Sequence, residues 1–268
     1  MVSIASWIYK PLRGNYTFTH DEVAQAFPGM SVWSIALVLS REVSKGRVVS
    51  PLLGFYVIVP DEYVLRAAVP QSFYLDDMMF HLGRKYYVAL LSAVSYHGAS
   101  HQIPLRFSVM IEPPAMRRDK KGEKYLTHFF CKSHISETYV ERRQTRTGYI
   151  NVSCPELTAV DLLTYQAKTG SVSRAATVLS ELVEKLNFGR LGAAFVKELP
   201  VTSLQRLGYI LAEVLEEGET AESVYGLLKC SGHVIQYVPL KAGKSSEGGE
   251  RNAKWRIIVN ETIEIDEL

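Results

Sequence analysis

Thr19-His-Asp-Glu22-Val23-Ala-Gln-Ala26-Phe27-Pro-Gly-Met30-Ser31-Val-Trp-Ser-Ile-Ala-Leu-Val-Leu-Ser-Arg-Glu-Val-Ser44-Lys45-Gly46-Arg47 is the stretch on which the fold turns. Thr19 and Glu22 stand at the spacing of a capping box, which satisfies two free amides at a helix start. Val23, Ala26 and Phe27 then fall at i, i+3 and i+4, the stripe of a short helix with one buried side. Pro28-Gly29-Met30 is a turn. Ser31 caps a longer helix that runs to about Ser44, with Val32, Ile35, Val38, Leu39 and Val43 expected inward. Trp33, Leu37, Ser40, Arg41 and Ser44 fall on the opposite face. Lys45-Gly46-Arg47 ends it.

On either side the pattern continues. Ser3 to Lys10 is apolar and reads as a helix ended by Pro11 and Gly14. Val48–Leu52 and Phe55–Val59 read as two strands around Leu53-Gly54, a hairpin. Helix, short helix, turn, longer helix, hairpin is the order of a winged helix-turn-helix. In such a module the longer helix enters the major groove, and its N-terminal residues meet base edges. The candidate DNA contacts are Ser31, Trp33 and Ser34, then Ser40 and Arg41, with Lys45 and Arg47 beside the phosphates, where they position rather than specify. Winged helices also serve as protein-interaction modules, and Trp33 also suits packing on a neighbouring domain. Pro60-Asp61-Glu62 and Pro70-Gln71-Ser72 bracket a boundary, giving a DNA-binding domain over 1–65 and a larger domain over 66–268.

The larger part is expected to be mixed α/β, making the whole an α+β protein. Asp76–Leu82 reads as a helix, and Tyr86–His97, apolar almost all round, as a central buried helix. Arg106–Glu112, Leu126–Cys131 and Tyr149–Cys154 read as strands. Ser153-Cys-Pro-Glu156 is a second capping-box spacing, opening a helix to about Tyr165. Ser173–Leu186, Gly189–Glu198 (capped by Asn187) and Ser203–Glu216 repeat Leu and Val at helical spacing. Val234–Leu240 and Trp255–Ile265 read as strands, separated by a small, polar and mobile loop over Gly243–Gly249.

Composition limits what this can be. With 268 residues, 47% hydrophobic and 22% charged, the chain is neither disordered nor fibrous. No apolar run approaches the length that spans a membrane, and Met1–Lys10 does not read as a secretory signal. Three widely spaced cysteines, Cys131, Cys154 and Cys230, suit a reducing cytoplasm. The first 150 residues carry eighteen Lys/Arg against twelve Asp/Glu, whereas the rest carry twelve against sixteen. Such polarity suggests a polyanion partner for the N-terminal part.

Tyr86-Tyr87-Val-Ala-Leu-Leu-Ser-Ala-Val-Ser-Tyr-His97-Gly98 resembles a segment of the abortive-infection E antitoxins, the AbiEi-type proteins of type IV toxin–antitoxin systems. Ser153-Cys-Pro-Glu-Leu-Thr-Ala-Val-Asp161-Leu-Leu, Ala175-Ala-Thr-Val-Leu-Ser-Glu-Leu182, Leu199-Pro-Val and Leu204-Gln-Arg-Leu-Gly208-Tyr209-Ile-Leu211 resemble the blocks that follow. With the winged helix, the resemblance covers about residues 1–215. It implies a protein whose N-terminal domain binds inverted repeats in its own promoter as double-stranded DNA and represses the operon. It also implies that the C-terminal domain neutralises a cognate nucleotidyltransferase-like toxin, and that the antitoxin is not an enzyme and takes no cofactor. A transcriptional regulator with a ligand- or protein-binding C-terminal domain, not linked to a toxin, is the alternative.

A second basic patch comprises Arg117, Arg118, Lys120, Lys121, Lys124, Arg142, Arg143 and Arg146. DNA backbone, an acidic toxin surface and a solvated turn all fit it. Phosphate loops, dinucleotide fingerprints, zinc-protease and nucleophile-elbow motifs are absent. His128, Cys131 and His134 invite a metal, but residues three apart on a strand point to opposite faces, so no metal site is expected. His97 reads as a hydrogen-bonded core histidine, and Asp161 as a buried carboxylate with a structural partner.

Overall fold

The computed structural model describes residues 3–9, 16–65, 69–99, 106–116, 126–230 and 232–265. The fold is mixed α+β and divides into two compact units. The first holds the described residues of Met1–Tyr87, Leu105–Ile135 and Arg142–Asn151; the second holds those of Val88–Pro104, Ser136–Glu141 and Val152–Leu268.

The first unit opens with α1 (Ile4–Ile8), whose cap Ser3 accepts from the Ser6 amide. β1 (Thr17–Thr19) and α2 (His20–Ala26) follow, joined by the capping box: the Glu22 carboxylate accepts from the Thr19 amide at 2.6 Å, and Thr19 Oγ1 from the Glu22 amide at 3.2 Å. After the turn comes α3 (Val32–Ser44), capped by Ser31, then β2 (Val48–Leu52) and β3 (Phe55–Ile58). Gly54, at φ +79°, closes the turn between the last two strands in a conformation that favours glycine. The strands form one sheet in the order β1-β3-β2. Ile4, Ile8, Phe18, Val23, Ile35, Leu39 and Val48 make the core.

Two details depart from the sequence reading. Ala26 is exposed, and Val23 with half-buried Ala24 and Phe27 covers the core instead. On α3 the buried arc is centred on Ile35, Leu39 and Glu42, while Val32 and Val43 lie in solvent. Turning about 100° per residue puts those two valines well off the arc's centre. Glu42 is tolerated inside because its carboxylate accepts from Tyr9 Oη at 2.7 Å and Lys45 Nζ at 2.6 Å.

Next come α4 (Asp61–Val64), α5 (Leu75–His81), β4 (Tyr86–Val88), α6 (Leu90–Tyr96), β5 (Arg106–Ile111), β6 (Leu126–Cys131), β7 (Val140–Gln144) and β8 (Tyr149–Ser153). The five strands form a sheet in the order β6-β5-β4-β8-β7, with β5 parallel to β6 and β4 parallel to β8. The continuous helix expected over Tyr86–His97 is therefore a strand followed by a helix. Tyr86 is held at the sheet by its hydroxyl, which donates to Asp76 at 2.7 Å and accepts from the Asn151 amide at 3.2 Å. Leu90, at φ +54°, makes the break between strand and helix.

Within the first unit, Phe73 collects the rings of Tyr16 and Tyr63 edge-on, at 5.7 and 5.5 Å between centroids. Thr17 Oγ1 donates to Asp77 at 2.6 Å, and Thr147 Oγ1 donates to the Phe73 carbonyl. The residues after 60 thus make side-chain contact with the small N-terminal sheet.

The second unit continues with α7 (Pro155–Thr164), α8 (Gln166–Thr169), α9 (Val172–Leu182), α10 (Ala193–Lys197), α11 (Val201–Tyr209) and α12 (Gly218–Cys230), then β9 (Val238–Pro239), β10 (Glu250–Asn252) and β11 (Ile257–Val259). α7 is buried from Pro155 to Leu163, as a central helix must be. Its cap is Cys154, with no side-chain bond, so the Ser153–Glu156 capping box does not form. Ser153 Oγ instead lies 2.6 Å from Thr158 Oγ1, and Glu156 accepts from the Asn187 amide at 2.8 Å and Arg190 at 2.9 Å. Asn187 does not cap a helix through its side chain; a single 3-10 turn, Phe188–Arg190, precedes α10. The 243–249 segment, expected to be mobile, is closed by hydrogen bonds: Asn260 Nδ2 donates to the carbonyls of Lys241, Lys244 and Ser245. Lys241 also donates to Glu261 at 2.6 Å.

Candidate nucleic-acid interface

A single cap, Ser31, begins α3's outward face. Ser31 Oγ accepts from the Ser34 amide at 3.1 Å, and the Ser31 and Ser34 hydroxyls lie 2.9 Å apart. These contacts use the Ser31 oxygen and one hydroxyl proton of the pair, and the other hydroxyl proton remains able to donate. Trp33 is 74% exposed, Val32 67% and Leu37 38%, and Ala36, Ser40, Arg41 and Ser44 are open to solvent with them. The structure therefore places Trp33, Ser40 and Arg41 on one accessible helix surface, with Ser31 and half-buried Ser34 at its origin.

Lys45 and Arg47 follow at the C-terminal end, and each has an internal partner. Lys45 is paired with buried Glu42, and the Arg47 guanidinium sits 5.9 Å from the Tyr9 ring centroid. Burial pulls the Glu42 carboxyl up, but hydrogen bonds from Lys45 and Tyr9 and the charges of Lys45 and Arg47 outweigh it, leaving the group below the usual carboxylate range. Burial, with the same Glu42 contact, pushes the Tyr9 phenol far up. The triad of Tyr9, Glu42 and Lys45 ties α1 to the end of α3. It was not legible in the sequence, where Glu42 reads as a surface residue.

Of the second basic patch, Arg117, Arg118, Lys120, Lys121 and Lys124 lie outside the described residues. Arg142, on β7, and Arg146, two residues past its end, are both exposed, with half-buried Arg143 and Thr145 between them. Arg142 lies over the Tyr149 ring at 4.7 Å and 4.0 Å from Asp76. Arg146 pairs with Glu62 and lies over Phe73. Both cations thus have partners within the first unit.

In the second unit several polar groups are buried. His97 Nε2 lies 2.8 Å from the Ser153 carbonyl, so that nitrogen donates and is not a free base. Burial pushes the Cys154 thiol up to about 12, which leaves it un-ionised and unreactive at neutral pH. Asp161 is buried, as its sequence setting suggested. In the first unit, His128 packs on the Phe130 ring at 4.4 Å, whereas His134 lies 3.5 Å from Glu112. Among the described residues no group of three or more His, Cys, Asp or Glu side chains stands close enough to hold a metal. No helix among them is long and apolar enough to cross a membrane.

Residues 87–213 match the family model described as the AbiEi antitoxin C-terminal domain. The fold is similar to the crystal structure of the RV2827C protein from Mycobacterium tuberculosis, with a TM-score of 0.63 at 17% identity, over 91% of this chain and 86% of that one. At that identity the likeness speaks for the fold alone. No curated protein matches the sequence.

Proposed function

We propose that this chain, whose residues 87–213 form an AbiEi-type antitoxin domain, is the antitoxin of a type IV toxin–antitoxin pair and represses its own operon. Residues 1–65 act as a winged helix-turn-helix that binds inverted repeats in the promoter. Residues 66–268 restrain a cognate nucleotidyltransferase-like toxin. The protein works in the cytoplasm as a regulator, without a catalytic centre of its own.

The observation that carries the DNA-binding half is the solvent-exposed outward side of α3, which begins at a capped helix start and ends among Arg41, Lys45 and Arg47. A helix offered in this way, braced by a preceding helix and flanked by a two-stranded hairpin, matches the dimensions of the major groove. The antitoxin half rests on the family match.

The test has two arms. Full-length protein is expected to retard a fragment from immediately upstream of its own coding sequence, with symmetric protection in a footprint. Co-expression is expected to rescue growth from the product of the adjacent reading frame. Absence of a nucleotidyltransferase-like frame beside the gene, with promoter binding intact, would leave a plain transcriptional regulator.

A further inference from the structure

We infer that α3 reads its operator mainly through apolar contact with the C5-methyl groups of thymine, so that the half-sites are thymine-rich where the helix enters the groove. This rests on the reading of α3 as the recognition helix and adds what that helix recognises.

The exposed side of α3 changes character along its length. Its first two turns present Val32, Trp33, Ala36 and Leu37; its last turns present Ser40, Arg41, Ser44 and Lys45. The N-terminal turns are the ones that reach base edges. Direct readout of guanine, adenine or cytosine uses Arg, Lys, Asn, Gln, Asp or Glu, and none of these occurs between Met30 and Leu39. Of the two hydroxyls in that interval, Ser31 and half-buried Ser34, one proton is spent between them and the Ser31 oxygen caps the helix, which leaves a single O–H at the very start of the face. The rest of that surface is aliphatic and indole. In the major groove its complement is the thymine methyl, the one apolar group on any base edge there.

Charge argues for nucleic acid over an apolar protein face. Between Phe27 and Val59 the chain has one carboxylate, Glu42, and it is buried. Arg41, Lys45 and Arg47, by contrast, are all open to solvent at least in part. An apolar helix start followed by cations at its end, with no exposed anion between Phe27 and Val59, suits a groove between two phosphate backbones. A second copy docked on this face would bring the same three cations against their equivalents.

The experiment uses the full chain and the upstream fragment prepared either with thymidine or with deoxyuridine at every thymidine position. Uracil keeps the pairing edge and lacks the methyl. Wild type is expected to bind the uracil fragment at least tenfold more weakly, since each methyl removed from the interface is worth about fourfold. A Trp33→Ala, Leu37→Ala variant is expected to bind both fragments alike. Both side chains are exposed, so its melting curve is expected to match wild type. Equal wild-type affinity for the two fragments overturns the inference and leaves the DNA reading standing. So does a variant that still discriminates as wild type does, because DNA stiffness rather than a side chain would then be the cause. No retardation of either fragment, with the variant changing sedimentation from dimer to monomer, overturns both and assigns the face to a second copy.

Discussion

The indole of Trp255 lies across Gly208 so closely that a Cβ on the glycine would fall 1.9 Å from Cζ3 and 2.3 Å from Cη2. Trp255 is fully buried, and its carbonyl accepts from Gln205 Nε2 at 3.0 Å, one turn before the glycine on α11. The glycine in the middle of a helix, otherwise unfavourable by about 1 kcal/mol, is explained by this approach.

Gly208→Ala is therefore expected to destabilise the protein by about 3 kcal/mol or more, because neither a helix backbone nor a buried indole yields easily. Trp255→Ala is expected to cost a similar amount through the cavity it leaves. Combining the two is expected to cost less than the sum, since the smaller residue makes room for the new methyl. Urea unfolding of the three variants checks this, and strict additivity would show that the two side chains do not meet.

Glu42 links stability to pH. Its carboxyl titrates below its unfolded value, so its contribution is complete above the ordinary carboxylate range and is lost as pH falls through the folded value. Glu42→Gln is expected to lower stability at pH 7 by about 1–3 kcal/mol by loosening Tyr9 and Lys45. As pH falls below the ordinary carboxylate range toward the lower folded value, the unfolded chain takes up the proton first and the gap between the two proteins is expected to narrow. Denaturant midpoints at about pH 7 and about pH 3.5, on either side of the ordinary carboxylate range, provide the comparison.

Arg190 pairs with a carboxylate that has no solvent of its own: Glu156 is fully buried, while the guanidinium is half exposed. Arg190→Ala leaves the Asn187 amide to hold that charge. A loss of about 2 kcal/mol is expected, below the figure for a fully buried pair because water reaches the arginine. Glu156→Gln is expected to make the arginine substitution much less harmful, and thermal melts of the double variant test it.

Arg41 and Arg47 differ from Lys45 in that neither forms an ion pair with a carboxylate among the described residues. Replacing both by Ala is expected to weaken promoter binding uniformly across sequences and to lower the salt slope by about one unit for each phosphate no longer neutralised. Toxin neutralisation is expected to persist. Binding measured at several salt concentrations gives the slope directly, and an unchanged slope would remove these residues from the interface.

The N-terminal elements were legible because their punctuation is local. The Thr19–Glu22 box, the Ser31 cap and the Leu53-Gly54 turn depend on neighbours within a few residues, and each formed as read. The errors lie where a distant partner decides. Tyr86–Val88 has a helix-compatible apolar pattern, but the sheet and the hydroxyl contacts of Tyr86 claim it as a strand. Ser153 and Glu156 have the spacing of a cap, but Thr158 and Arg190 draw both side chains away. β1 is too short to leave a pattern, and Thr-Phe-Thr19 is a strand because β3 pairs with it. Glu42 looks like a surface charge until Tyr9, thirty-three positions earlier, is brought beside it.

The aromatic seat at Phe73 bears on how the N-terminal arm can be isolated. A fragment cut after residue 65 would strip the rings of Tyr16 and Tyr63 of their cover and orphan the Thr17 hydroxyl that reaches Asp77. Freshly bared tyrosines at a cut end invite clumping in the test tube. A well-behaved recombinant arm would have to run past α5, carrying its own lid along.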